Sequence, residues 1–495
     1  MVQRLQQLAA LFAACALLLL LWIAFSPGKD PAAHDRAGPV PATAQPSPLP
    51  QASLPPGFAA TAVMSGDIER GGTLLFKCRA ALCIVSTTGE QLTTIEPQPG
   101  GEYLAPRWSP DGNVFAALYL PHGARSHSEG ETRGSGSATA GELIVFSAAG
   151  EPIASLIPQK PSMQDRSALL VWSPDGQRLV LSARPDRNGD HLLDQAAQMW
   201  VLEFSSAEKA LSQLDSFQGG VPGPPLWSPD GRMLAYVRHG VTGGDSEIWV
   251  YDVEARQARL AAVGSDPAWI PGTNRLAFVA VGGAELRTVD RSGKREHTLL
   301  TIQKIADFLT LDDPSLPQAR LSFARPTWSP DGSRLAFRVW GQPVERGSSY
   351  IPGMLFTSAA DGNDLRRWPD TDTANTSPQL WSPAGDHLIY PYWLIGQDRF
   401  TPGRTTPEPG ERFTYPCAAG LILVDLKRNS YREEACGSIG IDLQSYGAWS
   451  PSGRAFATRS GSAIVLFSVD FPPQRRIFAA PQPREIQWRP DPLMQ

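Results

Sequence analysis

The chain has 495 residues with 44 Lys and Arg against 49 Asp and Glu, a net charge of −5, 42% hydrophobic and 19% charged residues. Such a composition belongs to a folded chain with enough length for a large core, and excludes collagenous or fully disordered classes. Acidic balance without a clustered Lys/Arg stripe also excludes a nucleic-acid-binding role.

In chain order, the first element is an apolar run, Leu8 to Phe25 (LAALFAACALLLLLWIAF). It is long enough to cross a bilayer, and Arg4 with the free amine keeps the start of the chain in the cytoplasm. The expectation is a signal-anchor over residues 1–26, with everything after Ser26 exported into the periplasm or outside the cell. A cleaved signal peptide is the rival reading, but Ala24-Phe25-Ser26 followed by Pro27 makes a poor cleavage site. Cys15 lies inside the run and reads as a membrane-buried side chain. Residues 27–57 hold nine prolines among Ala, Ser and Gln. They read as an extended spacer, which at about 3.1 Å per residue reaches up to roughly 90 Å.

From residue 58 onward the chain repeats. Trp-Ser-Pro-Asp-Gly begins at Trp108, Trp172, Trp227 and Trp328, with degraded copies at Trp269, Trp381, Trp449 and Trp488. A motif recurring every few tens of residues marks one supersecondary unit used many times. In Ser-Pro-Asp-Gly the proline pre-sets φ, Asp and Gly suit the later turn positions, and Ser bonds back to the backbone. A strand-like run follows each copy, as in Leu234-Ala235-Tyr236-Val237 or Leu335-Ala336-Phe337; a second ends near Asp, as in Glu247 to Asp252. Each unit therefore predicts four short antiparallel strands, the blade of a β-propeller. The motif tryptophans are expected to pack between blades.

The pattern W-S-P-D-G, then L-A-F, then I-W-V-x-D resembles the WD-like repeat of TolB-type propellers, also used in the propellers of prolyl-oligopeptidase-like proteins. That resemblance covers roughly residues 60 to 495 and implies an all-β propeller. The first strand pair, Leu74-Leu75-Phe76 with Cys83-Ile84-Val85, has no Trp-Ser-Pro turn before it, and Trp488 has no strand pair after it. Both anomalies vanish when the two ends of the chain share one blade. Eight blades are favoured, with seven as the alternative.

Candidate sites are few. Asp186, Asn188, Asp190 and Asp194 place oxygens like the start of a calcium loop, although His191 stands where Gly is wanted and Ala197 where a bidentate Glu is wanted. The competing reading is a polar hairpin loop around Asn188-Gly189. Cys78 with Cys83, and Cys417 with Cys436, form local pairs for which disulfide and free thiol both stay open in an exported domain; CxxC spacing for zinc is absent. Insertions fall between second and third strands: Pro121 to Gly141, the Asp186 loop, Gly341 to Gly353, and Trp393 to Cys417, the last rich in aromatics, Arg and Pro. Since those connections all leave one face, that face is the expected binding surface. Lys304 to Arg320 is expected to form a short helix or lid.

No G-x-S-x-G elbow occurs and the seven histidines form no HExxH or HxH pair, and with only a few residues after Trp488 no hydrolase domain is expected to accompany the propeller. The favoured function is a membrane-anchored, extracytoplasmic and non-catalytic scaffold that binds a protein or cell-envelope partner, as resemblance to TolB implies. The alternative is a carbohydrate-active lyase or hydrolase, similar to oligogalacturonate lyase, with His, Gln and Arg around a metal in the central channel.

Overall fold

A computed structural model describes residues 71–121, 141–156, 162–163, 169–183, 185–186, 196–204, 211–218, 224–238, 245–312, 319–343, 351–368, 379–393, 419–434, 447–470 and 475–491. The chain divides into two compact units, residues 1–51 and 52–495, and every described residue belongs to the second. The expected boundaries at residues 26 and 57 and the apolar run at residues 8–25 lie outside the described residues. Among those described, no helix is long and apolar enough to cross a membrane.

The described residues form four-stranded antiparallel sheets in succession, the architecture of a β-propeller. Sheet 1 sets Pro483–Trp488 beside Thr73–Cys78, then Ala81–Ser86 and Gln91–Ile95. Sheet 2 runs Glu102–Trp108, Val114–Leu120, Glu142–Ser147, Pro152–Leu156, and sheet 3 Leu169–Trp172, Arg178–Ala183, Ala196–Glu203, Leu211–Gln218. Sheets 4 and 5 share one long strand, Gln257–Trp269. Its first half pairs with Glu247–Asp252, beyond which lie Met233–Arg238 and Leu226–Trp227. Its second half pairs with Arg275–Ala280, followed by Glu285–Asp290 and His297–Thr301. The handover falls at Gly264, where a Cβ would sit 2.3 Å from the Val279 carbonyl oxygen, so only glycine lets the strand cross.

Sheet 6 contains Ala319–Trp328, Arg334–Pro343, Ile351–Ala359 and Arg366–Arg367. Sheet 7 contains Leu380–Trp381, His387–Trp393, Ala419–Asp425 and Ser430–Glu434, and sheet 8 Gly447–Trp449, Ala455–Ser460, Ala463–Ser468 and Arg475–Ala479. A separate two-stranded sheet pairs Ser162–Met163 with Pro185–Asp186. In sheet 1, Leu74 lies opposite both Val85 and Trp488, so the start and the far end of the propeller share one sheet.

The turn chemistry explains the repeat. In Ser109-Pro110-Asp111-Gly112 the Gly112 N–H donates to the Ser109 carbonyl, and Ser109 N–H to the Val114 carbonyl, both at 2.9 Å. Ser109 Oγ donates to Asp111, which also accepts the Asn113 N–H. Ser173, Ser228 and Ser329 repeat these bonds. Part burial opposes ionisation of Asp111, Asp175 and Asp230, but the serine hydroxyl and backbone N–H bonds hold their carboxyls below the usual range. Where Ala384 replaces the turn aspartate, Asp386 accepts the Ser382 hydroxyl instead, at 3.0 Å.

The motif tryptophans lie at the end of each first strand and join one sheet to the next. Trp172, Trp227, Trp269, Trp381, Trp449 and Trp488 each donate the indole N–H to the carbonyl just before the motif tryptophan of the preceding sheet, at 2.8 to 3.3 Å. Trp488 reaches Ala448 of sheet 8, so sheet 1 is tied to its neighbour in this way too.

A disulfide joins Cys78 to Cys83, whose Cα atoms are 5.8 Å apart across the sheet 1 hairpin. Cys417 and Cys436 lie outside the described residues. Closing so short a loop is worth roughly 2 kcal/mol, so Cys78→Ser with Cys83→Ser should lower unfolding free energy by about that amount, and reductant should do the same to the parent. Identical urea transitions would show that the bond contributes nothing.

The one described helix, Ile302–Asp312, continues from the last strand of sheet 5 and stops short of the expected Arg320. Ile305 and Leu309 bury its inner face, Phe308 packs 5.9 Å from Phe356, and Lys304 Nζ reaches the Gly362 carbonyl at 2.9 Å. The helix thus straps sheet 5 to sheet 6.

Candidate functional site

Antiparallel alternation puts every turn between first and second strands on one face of the propeller. Connections between second and third strands leave the other. On the first face the links between first and second strands are uniformly tight, as in Trp108 to Val114 or Trp328 to Arg334. On the second, the segments 122–140, 187–195, 239–244, 344–350 and 394–418 intervene in sheets 2, 3, 4, 6 and 7, whereas sheets 1, 5 and 8 turn tightly. Longer strands trim two expected insertions: Arg334–Pro343 runs past Gly341, and Trp393 closes its strand.

On this long-loop face the described residues form a cavity of about 310 Å³ where sheets 4, 5 and 6 meet, lined by Asp245, Ser246, Ser265, Gly283, Ser322 and Phe323 among others. Gly283 makes the approach possible, since a Cβ there would stand 2.7 Å from Ser322 Cβ. Next along the first strands, Asp266 and Arg325 face each other across the seam, 3.8 Å between Oδ1 and Nε, and the Arg325 N–H donates to Asp266 Oδ2. Gln379 of sheet 7 donates to the Arg325 carbonyl at 2.6 Å.

A second polar knot joins sheets 3 and 4 near the 239–244 connection. The Tyr236 hydroxyl and the Arg238 guanidinium both donate to Asp215, and Arg238 lies 3.8 Å above the Trp249 ring. Burial, then the bond to Asp215, pushes the Tyr236 hydroxyl far above the usual phenol range. This hydroxyl is therefore a fixed donor and an unsuitable proton acceptor.

On the tight-turn face, His387 Nδ1 sits 2.8 Å from Asp386 and Nε2 sits 3.8 Å from Asp425. Burial works against the Asp386 carboxylate, but Lys427 at 2.9 Å and His387 hold its carboxyl well below the usual range. The imidazole is closed in by its sheet. In the outer strand of sheet 7, burial and then the adjacent Glu434 push the Glu433 carboxyl up to about 8, against the pull of Arg475. The unfolded chain releases that proton near pH 4.3. Stability from this group is therefore complete below about pH 4 and falls as pH rises toward 8. Glu433→Gln should match the parent at pH 4 and exceed it at pH 8.5, by on the order of a few kcal/mol at most. Urea melts at both values check this; a variant weaker at pH 8.5 contradicts it.

Of the anticipated calcium ligands, Asp186 ends the short strand Pro185–Asp186, while Asn188, Asp190 and Asp194 lie outside the described residues. Among the described residues no group of three or more His, Cys, Asp or Glu is placed to hold a metal. His297 lies on an outer strand and His387 on a second strand; the other five histidines lie outside the described residues. Sequence reading missed Asp266 with Arg325 and the Asp215 knot. A signal existed for the first, because Ala105-Pro106, Asp266-Pro267 and Arg325-Pro326 each stand three and two residues before a motif tryptophan. For the second none did, since Asp215 and Tyr236 belong to different sheets.

No family model and no curated protein matches the chain. Solved structures to which it is similar include a eukaryotic initiation factor, at 12% identity and TM-score 0.45, covering 85% of this chain and 99% of that one. An oligogalacturonate lyase in complex with manganese is similar at 12% identity and TM-score 0.44, covering 83% and 97%. A putative TolB from Agrobacterium tumefaciens follows at 18% identity and TM-score 0.33, covering 64% and 95%. The propeller architecture itself stands on the strand pairing described above.

Proposed function

We propose that the chain is an eight-bladed propeller, closed by pairing of Thr73–Cys78 with Pro483–Trp488, that acts as a non-catalytic scaffold for a protein or cell-envelope partner. In this reading residues 8–25 anchor it in a membrane with the N-terminus cytoplasmic, and residues 27–57 hold it away from the bilayer on the extracytoplasmic side. The observation that carries the proposal is the contrast between two sets of connections: five second-to-third-strand connections carry intervening segments, all leaving one face, while every first-to-second-strand link on the opposite face is tight. Binding residues concentrate on loops held by a rigid scaffold.

Support for binding over catalysis comes from the first strands. Their described Asp266, Arg325 and Gln379 bond to one another or to backbone, and the described histidines sit on other strands. The Asp186, Asn188, Asp190 and Asp194 loop would take Ca2+ through its carboxylate and amide oxygens; a thermal melt unmoved by chelator and added calcium would remove it from the proposal. An affinity pull-down with residues 57–495, with and without the segment 394–418, tests the binding face. Partners lost on deletion support it. Unchanged recovery contradicts it, as would turnover of a uronic-acid polymer by the purified protein.

A further inference from the structure

Three sheets wall the cavity on the long-loop face, and backbone bonds fix where they stand. The Gly264 N–H donates to the Ser246 carbonyl and the Phe323 N–H to the Gly283 carbonyl, each at 2.8 Å. A site held this way is formed before anything enters it. Its volume of about 310 Å³ is at the low end of the roughly 300–1,000 Å³ usual for small-ligand sites, room for one side chain rather than a run of sugars.

Charge selects what enters. Asp245 is exposed at the cavity wall and, among the described residues, its carboxylate has no ion-pair or hydrogen-bond partner. The charges around it are engaged already. Arg325 and Asp266, each in a bulge of its first strand, face each other at 3.8 Å. Arg238 donates to Asp215, and Glu247, two residues beyond Asp245, accepts the Trp249 indole N–H at 2.8 Å. What is left is the Asp245 carboxylate beside the hydroxyls of Ser246, Ser265 and Ser322. That set repels a carboxylate, a uronic acid included, and attracts a cation.

Apolar surface completes the site. Six large apolar side chains are exposed among the described residues, and two of them, Val263 at 43% and Val281 at 51%, stand at the long-loop end of their sheets. Val281 lines the cavity, and Val263 immediately precedes Gly264 of its wall. By contrast, Leu92 and Ile153 lie near the start of outer strands, at the tight-turn end, and Leu260 and Ile477 lie within outer strands. An apolar flank beside one carboxylate is the complement of lysine, whose methylene stem lies along apolar surface while its charged head stays with polar groups. The ammonium is a compact point charge with three rotatable donors, able to use Asp245 and hydroxyls from separate sheets; the planar fork of arginine asks for acceptors in one plane.

We infer that this cavity receives a single lysine side chain of the protein partner, its ammonium at Asp245 and the serine hydroxyls and its stem along Val281. This deepens the scaffold reading and rests on the long-loop face being the one that meets the partner.

The probe is the blocked tripeptide acetyl-Gly-Lys-Gly-amide, titrated into the full-length protein while the Val281 methyl signals, identified by their loss in Val281→Ala, are followed by NMR. The signals should shift and saturate. Asp245→Asn, at an exposed position whose carboxylate holds no other described group, should keep the fold and weaken binding about tenfold. Glu254→Gln, which removes an exposed carboxylate at the tight-turn end of sheet 4, should change nothing. The same peptide acetylated on the lysine nitrogen should give no shift. Equal shifts with the acetylated peptide, or equal affinity in Asp245→Asn, overturn the inference. So does a shift with the free diamine cadaverine but none with the tripeptide, which assigns the cavity to a small amine. Silent Val281 signals while the pull-down still loses its partners on removal of 394–418 overturn this inference alone; a saturating shift with no partner captured overturns the scaffold reading alone.

Discussion

Removing residues 483–495 from the soluble portion is expected to abolish its single cooperative unfolding transition. Deletion takes away Ile486 and Trp488, 2% and 6% exposed, and the indole bond to Ala448. It also leaves the Thr73–Cys78 edge, whose Leu74 and Leu75 are fully buried, without its inner partner. Deleting a buried Ile and a buried Trp side chain costs on the order of 5–10 kcal/mol together, comparable with the whole stability of a typical domain. Trp488→Ala alone should cost about 3–5 kcal/mol. A truncated chain that melts like the parent would show that sheet 1 does not need this strand.

The second large effect is at the seam between sheets 7 and 8. Glu434 is 1% exposed and accepts from Arg432 Nε at 2.7 Å and Arg475 at 2.8 Å. Arg432 then donates to the carbonyls of Ser468, Val469 and Asp470 at the end of a sheet 8 strand. Removing the buried carboxylate strips a charged acceptor from Arg432 and Arg475, whose side chains are 24% and 41% exposed and so partly solvated, a loss of about 1.5–3 kcal/mol. Glu434→Ala should therefore lower the urea-derived unfolding free energy by about that amount. Replacing Glu434, Arg432 and Arg475 together by apolar residues should recover part of the loss, because the uncompensated charge goes too. A single variant within about 1 kcal/mol of the parent would place the latch among ordinary surface pairs.

Local chemistry made much of the fold legible. Ser-Pro-Asp-Gly carries its own turn, and the bonds of Ser109, Asp111 and Gly112 follow from those residue types alone. The pairing of Leu74-Leu75-Phe76 with Cys83-Ile84-Val85 was readable in register because both runs are short, apolar and joined by a few residues. Relations between sheets were not. Glu434 and Arg475 are 41 positions apart, and nothing local to either announces the other. The Asp266 and Arg325 bulges show in sequence only as an acid or base before proline, a pattern too common to interpret without coordinates. The long connections resisted for another reason: 394–418 is rich in Arg, Pro and aromatics, a composition that marks a surface for binding without specifying a shape.

Amide hydrogen exchange over Pro483–Trp488 in the full-length protein tests the central claim most directly. With this strand paired to Thr73–Cys78, the Gln487 amide opposite Leu75 and the Arg489 amide, which donates to the Thr73 carbonyl at 2.9 Å, should be protected to the same extent as those of Leu74 and Phe76 and open with them in one step. Exchange at the rate of an unstructured chain end, while Leu74 stays protected, would contradict the closed ring and every assignment of faces that depends on it.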